Sequence, residues 1–581
     1  MQLCWTVFAA ALLASTTNAY DNVFDPKLDE LIEEWLETDH VPGMSVAVLR
    51  NGTLQSKGYG FSILPNVPAT ADTLYFTGST TKAFVAATAA HMILNGSQDS
   101  DVKWTTPLAK LLPGDFVLAD EYATAHVTLE DALSHRSGLP GHEVSYGWTH
   151  DASALENVRL MRHLPLTAEL RTQWQYNNLM YDAVGVVLER LSGMALESLL
   201  RKWLWRPLGM QSTTMSIAQA AKTVDHAGDP RLARGYFWKG EYYIPESYVD
   251  LRGIEAAGAT ISSVQDYALW LQAILCTDND SSPVTPQIVR EVTSPRFVIP
   301  PAEGSPSTGL TSYALGWEIK QVGPHPMISH SGGLPGFVTW VYMLPHQNLG
   351  FVSMENSRGA TVGIGPKVFA EVLRRLDLAA AADALSQSQS QTSAPDAGQV
   401  PRLRKRPLPG TVEEYLGVYF HPGYGPLNVS LGSQDLYAPD PPQVPIGPGA
   451  KKPGELRIHL ASRLWPFTLS TEHDSLAVFR VTVGMRHGGV NHTTHACGHS
   501  DTHSRCRYES AWEVSSRGRA IFERNLDGRV DRVGVQLEPA MGGGGWRESM
   551  IWFDRVEESE GFLRGEAMGD LRNGRGSFFV R

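Results

Sequence analysis

The chain has 581 residues, too many for one compact core, and the length alone leads us to expect about two to four domains. Hydrophobic residues make up 42% and charged residues 19%, which excludes a disordered chain. The formal net charge is −12, and the single short basic run, Arg402 to Arg406, forms no stripe, so the composition argues against nucleic acid as a partner.

From the start of the chain, Trp5 to Ala14 is an apolar run followed by Thr17-Asn18-Ala19, small residues suited to a cleavage site. Residues 1–19 therefore read as a signal peptide, with Tyr20 as the mature start and secretion as the expected fate. No basic n-region precedes the run, and a membrane anchor is the alternative, for which the stretch is short. No later segment reaches the ~18 apolar residues of a spanning helix, so no stable membrane insertion is expected. N-x-S/T sequons at Asn51, Asn95, Asn279, Asn428 and Asn491 agree with secretion as candidate glycosylation sites. Of the four cysteines, Cys4 leaves with the signal, Cys497 and Cys506 can close a small disulfide loop, and Cys276 would be an odd, buried thiol.

Residues 20–377 mix helical and strand patterns. Leu28 to Leu36 places Leu28, Leu31, Ile32 and Trp35 on one helical face. Met44 to Leu49 is a β-rich run ended by the hairpin signal Asn51-Gly52. Leu179 to Leu191 has helical period, with Gly193 as its stop. Ser263-x-x-Asp266 resembles a capping box opening a helix to Leu275. Phe337 to Leu344 and Phe351 to Met354 read as strands, and Val368 to Leu376 as a closing helix. Residues 378–410, with an Ala-rich start, alternating Ser and Gln, and then Pro, Arg and Lys, read as a disordered linker. Residues 411–581 carry short strand patterns between Gly, Asp and Asn turns, expected to form a small antiparallel sandwich or barrel.

Three motifs carry chemistry. Ser79-Thr80-Thr81-Lys82 is an S-x-x-K tetrad; on a helix it sets Lys82 one turn beyond Ser79 on the same face. Ala83 to Ile93 is apolar nearly all round, as a central buried helix is. A second copy, Ser100 to Lys103, runs into Thr106-Pro107 and has no such helix. Tyr176-Asn177-Asn178 offers a phenol that can share a lysine's proton and an amide that can donate to a substrate carbonyl and accept from the lysine. His330-Ser331-Gly332-Gly333 would let backbone approach a ligand, and an amide there could form half of an oxyanion hole with that of Ser79. Taken singly, Tyr176 also fits a core tyrosine, and His330 a surface histidine beside a glycine turn.

In this order the motifs resemble the serine β-lactamase and penicillin-binding-protein superfamily, and within it the class C branch with its esterase, DD-peptidase and D-aminopeptidase relatives. Leu133-Ser134-His135-Arg136-Ser137-Gly138-Leu139-Pro140 and Ala257 to Ser263 agree with it. The resemblance covers about Leu28 to Leu376 and implies an α/β (α+β) fold of the β-lactamase/transpeptidase-like kind, with an antiparallel sheet beside a helical subdomain. It implies Ser79 as nucleophile, Lys82 and Tyr176 as the proton-handling pair, Asn178 as substrate and lysine orienter, and the amides of Ser79 and Gly333 as the oxyanion hole. His330 stands where β-lactamases carry lysine, and we expect it to hydrogen-bond Tyr176. Without a fixed cation there, esters or amides lacking an anionic end are expected as substrates rather than β-lactams. Glu414 to Tyr419 and Pro422 to Gly425 resemble the opening of a lipocalin-like β-barrel.

The expected activity is a serine hydrolase acting on a small-molecule or peptide ester or amide. An acyltransferase and a non-catalytic binding protein are the alternatives on the same scaffold. His487, His492, His495, Cys497, His499, His503 and Cys506 contain metal-binding residue types, but their spacing matches no closed zinc pattern, and a secreted cysteine pair also suits a disulfide. The proposed chemistry needs no cofactor or metal.

Overall fold

The computed structural model describes residues 22–95, 101–147, 153–277, 281–301, 309–358, 363–389, 402–431, 456–460, 467–487, 511–537 and 550–556. The signal-peptide segment, Asn279, Asn491, Cys497, Cys506 and the histidines from His492 to His503 lie outside the described residues. The chain divides into two compact units, one holding the described residues up to 389 and the other the barrel strands that begin at Gly417.

The first unit is built on a nine-stranded antiparallel sheet. Its strands are β1 (Gly43–Arg50), β2 (Thr53–Ile63), β3 (Val67–Pro68), β4 (Phe297–Ile299), β5 (Thr311–Tyr313), β6 (Glu318–Val322), β7 (His325–Leu334), β8 (Phe337–Leu344) and β9 (Leu349–Glu355), in the order β3-β2-β1-β9-β8-β7-β6-β5-β4. The β1–β2 hairpin turns on Asn51 and Gly52, both at positive φ, as the Asn-Gly pair predicted. Strand β1 is buried on both faces. Met44, Val46 and Val48 join a core with Leu28, Ile32 and Leu36 of helix α1 (Pro26–Thr38) and with Phe351 and Phe369. The alternate residues face the other side of the sheet, where Ser45 Oγ donates to the Thr70 carbonyl at 2.7 Å.

Helix α2 (Thr81–Asn95) buries every residue from Thr81 to Ala90, as its all-round apolar sequence requires. Helix α3 (Asn178–Ser192) is capped by the Asn177 side chain, which accepts from Met180 N, and stops at Gly193 with φ +66°. Helix α4 (Val264–Leu275) has Ser263 as its N-cap. The expected box is not completed. The Asp266 carboxylate turns instead to Ser212 N at 2.9 Å and Thr213 Oγ1 at 2.7 Å, tying the helix to a neighbouring loop. Helix α5 (Gly365–Arg375) closes the sheet core.

The linker expectation needs correction at both ends. Residues Ala379–Gln389 form helix α6, which buries Ala381, Ala382 and Leu385 in the core that also holds α5. Alanine has the highest helix propensity, and its small side chain permits close packing, so an Ala-rich run that looks coreless alone gains a core from its neighbour. Residues 402–410 are strapped to the barrel: Leu403 N donates to Asp474 Oδ1 at 3.0 Å, and Ser475 Oγ to the Arg404 carbonyl at 2.8 Å.

The second unit is a closed eight-stranded antiparallel barrel running from Gly417–His421 to Ile551–Arg555, with its first and last strands paired. Tyr415, Phe479 and Phe522 meet edge to face with centroids 5.1 to 6.3 Å apart. Of the sequons, Asn51 and Asn95 are exposed. Asn428, by contrast, is only 6% exposed within a barrel strand, where it stands between Val418 and His459. Cys276 is buried, as expected. Among the described residues, no helix is long and apolar enough to cross a membrane, and no cluster suited to a metal ion occurs.

Candidate active site

Ser79 lies in a tight turn, Gly78–Thr80, that leads directly into α2. Three threonines stitch this turn. Thr77 N and Oγ1 both donate to the Thr260 carbonyl, at 2.9 and 3.1 Å. Thr80 Oγ1 donates to the Thr77 carbonyl at 2.9 Å, and Thr81 Oγ1 to the Gly78 carbonyl at 2.7 Å. Strand β7 presses against the turn from the other side. Gly78 has φ +53°, and a Cβ on it would stand 2.8 Å from Gly333 N; a Cβ on Gly332 would collide with the Thr77 carbonyl. The two glycines therefore let the backbone of β7 lie beside the backbone of the turn that carries Ser79, near its amide.

Lys82 is fully buried and makes three contacts through Nζ: Ser79 Oγ at 3.2 Å, Asn178 Oδ1 at 2.7 Å and the Ala257 carbonyl at 2.8 Å. Burial pulls its pKa down to about 7, opposed by the charges of Asp182 and Glu143. The last two partners are acceptors only. A neutral lysine can satisfy both with its two N–H groups and turn its lone pair to the Ser79 hydroxyl.

The Tyr176 hydroxyl hydrogen-bonds Ser79, and its ring centroid lies 4.7 Å from Lys82 Nζ. Burial raises the phenol's pKa, so it stays protonated at neutral pH. The four residues Ser79, Lys82, Tyr176 and Asn178 are thus together. Gly333 is solvent-facing on β7 beside the turn.

His330 is corrected. It is buried, and its Nε2 lies 2.9 Å from the hydroxyl of Tyr313, not of Tyr176; its Nδ1 lies 2.6 Å from the Ser331 carbonyl. Nδ1 must therefore carry the proton and Nε2 accept. Burial lowers its pKa to about 3, so the ring is neutral. With both nitrogens occupied, His330 is a wall of the site rather than a substrate donor.

Three further participants were not singled out from the sequence. Ala257 contributes only a carbonyl, which no residue type betrays. Glu143 reaches solvent and accepts from Asn178 Nδ2 at 3.3 Å, so an acidic group borders the site; desolvation of the carboxyl raises its pKa, opposed by the charges of Lys82 and Arg358. Asp182, four residues after Asn178 on α3, is fully buried and close enough to Lys82 to interact with its charge; burial raises its pKa well above that of an ordinary carboxyl. A lone acid in an otherwise apolar helix face was the signal that could have found it.

Comparison with known proteins gives the family of the chain. The family model Beta-lactamase matches residues 28–366. The unguisins hydrolase ungD' of Aspergillus campestris (strain IBT 28561) is 34% identical over 373 residues, covering 63% of this chain and 68% of the relative. The unguisins hydrolase ungD of Aspergillus violaceofuscus (strain CBS 115571) is 32% identical over 448 residues, covering 71% and 77%. The octameric penicillin-binding protein homologue from Pyrococcus abyssi shares the fold, with a TM-score of 0.52 at 18% identity over 88% of this chain and 98% of that one. The family match spans more than half of the chain and contains both sides of the site, from the Ser79 turn to β7, and so the chain belongs to the Beta-lactamase family of serine hydrolases.

Proposed function

We propose that the protein cleaves an ester or amide through an acyl-enzyme on Ser79. The observation that carries the reading is the triple contact of Lys82. Two pure acceptors hold the amine, so its third direction is left for the Ser79 hydroxyl. In acylation Ser79 Oγ bonds to the substrate carbonyl carbon while its proton passes to Lys82. The oxyanion is held by the amides of Ser79 and Gly333. The bond to the leaving nitrogen or oxygen then breaks as that atom takes a proton from the Tyr176 hydroxyl, which Lys82 re-protonates. Water reverses the sequence and releases the acid.

The electrostatics support a substrate without an anionic end. The histidine at 330 is neutral, and the exposed carboxylate of Glu143 repels a substrate carboxylate and can accept an N–H or ammonium. The relatives named as unguisins hydrolases support hydrolysis. We further propose that the protein is secreted, on the signal-like residues 1–19 and the exposed sequons Asn51 and Asn95. Intact mass of the purified protein and of Ser79→Ala, each incubated with p-nitrophenyl esters, D-amino-acid amides, a chromogenic cephalosporin and a fluorophosphonate, tests the chemistry. Ser79-dependent adducts with ester or amide turnover are expected. Adducts without turnover would point to an acyltransferase, and no adduct on folded protein would overturn the reading. Mass analysis of protein from the medium, carrying glycan at Asn51 or Asn95 and starting at Tyr20, tests secretion.

A further inference from the structure

We infer that His135 is the positioning residue of the proton relay, holding Tyr176 by bonding the residues on both sides of it. This rests on the acyl-enzyme reading above. Among the described residues, His135 Nε2 meets no hydrogen-bond partner. Instead, its carbonyl accepts from Gln175 N at 2.8 Å and its Nδ1 accepts from Asn177 N at 3.1 Å. The Tyr176 peptide is therefore gripped at both ends by a single residue. The imidazole packs on the Tyr176 ring with centroids 4.3 Å apart, and against Tyr181 and Tyr313 at 5.3 and 4.7 Å.

Two features suit histidine to this task. Residue 135 has φ +60°, a conformation open mainly to Gly, Asn, Asp and His. Its side chain must present an acceptor to Asn177 N, and a neutral imidazole with the proton on Nε2 does so; the fully buried ring is kept neutral by its surroundings. The grip is itself anchored. Asp131 Oδ1 accepts from Arg136 Nε at 2.6 Å and its Oδ2 from Arg171 Nη2 at 2.7 Å, so one buried carboxylate joins the His135 loop to the segment leading into Tyr176. Asn177, whose amide His135 holds, also caps α3 through its side chain, which fixes Asn178 and through it Lys82.

Two variants separate the acceptor from the ring. His135→Phe keeps a ring and removes both the acceptor and the side chain's tolerance of φ +60°. His135→Asn tolerates positive φ and presents Oδ1 at the same position along the side chain. Two readouts are used. Hydrogen exchange of the peptide spanning residues 175–178 reports the grip without reference to catalysis. The fluorophosphonate labelling rate of Ser79 reports its consequence, measured in wild-type and Tyr176→Phe backgrounds. We expect faster exchange in His135→Phe and near-wild-type exchange in His135→Asn. Labelling should fall about 100-fold in His135→Phe, by analogy with an ångström-scale misplacement of a catalytic group, and recover in His135→Asn. In the Tyr176→Phe background the same change should cost less than about 3-fold, because residues acting as a unit are not additive. Unchanged exchange in folded His135→Phe overturns the inference, as does an equal loss in both backgrounds. A wild type that takes no label would instead sink the acyl-enzyme reading, while exchange would still decide the grip.

Discussion

Replacing Gly332 with alanine probes how close β7 must lie to the nucleophile. The new Cβ would collide with the Thr77 carbonyl and stand 3.1 Å from Ser79 N. Ordinary van der Waals contact is about 3.5 Å, so the strand and the turn must separate by more than about 1 Å. The turn is held by three threonine hydroxyls and cannot retreat cheaply, so the displacement falls on β7 and carries the Gly333 amide with it. Loss of one oxyanion donor costs about 100- to 1,000-fold in kcat, or roughly 2.7 to 4 kcal/mol. Gly333→Ala is the control, because nothing lies within 4 Å of its Cβ position and its φ is not positive. Ester turnover and the fluorophosphonate labelling rate are measured for both variants, with the thermal midpoint as a check on folding. We expect Gly332→Ala to lose at least about 100-fold and Gly333→Ala to stay within about 3-fold. A folded Gly332→Ala of wild-type rate, or equal losses in both variants, would refute the geometry of the oxyanion hole.

The pKa of Lys82 links activity and stability to pH. kcat/KM should rise with an apparent pKa of about 7 as the amine loses its proton. Because the folded pKa lies below the unfolded value of 10.5, the unfolded chain binds more protons between about pH 7 and 10.5. This group's contribution therefore adds stability as pH rises through that window, and denaturation of Lys82→Met against wild type should lack that slope. Glu143→Gln keeps an acceptor for Asn178 but removes the charge; the preference for ammonium-bearing over carboxylate-bearing amides should fall about 10-fold in kcat/KM, and an unchanged ratio would remove Glu143 from recognition. Leu385→Ala empties a fully buried position on α6 and should lower the unfolding free energy of the first unit by about 2 to 4 kcal/mol in denaturant titration, whereas a linker position would show none.

Much of this was legible in the residues because it is local. The tetrad Ser79 to Lys82 followed by an all-apolar run reads as a buried helix with its serine at the entrance, and the chain folds so. The Asn51-Gly52 turn, the Asn177 cap and the Gly193 stop each depend on one or two neighbouring side chains. Where the sequence misled, a distant partner decided the outcome. The alanines of α6 looked coreless until α5 supplied a surface, and the sequon at Asn428 gave no sign that its side chain is buried in a barrel strand.

By itself the sequence pointed to the fold class, to the turn that carries Ser79, and to Tyr176 and Asn178. Those follow from the resemblance that the three motifs carry in that order, with helical spacing setting Lys82 one turn beyond Ser79. Only the tertiary structure decided the protonation of the site. Lys82 is brought near neutrality by burial, while Asn178 and the Ala257 carbonyl fix where its amine lies, and His330 is turned to Tyr313. The linked grip of His135 on both neighbours of Tyr176 likewise uses a carbonyl and a ring nitrogen brought to segments about forty residues away in the chain. Desolvation and backbone acceptors have no letter in the sequence, so the proton chemistry of the site exists only once the chain has folded around it.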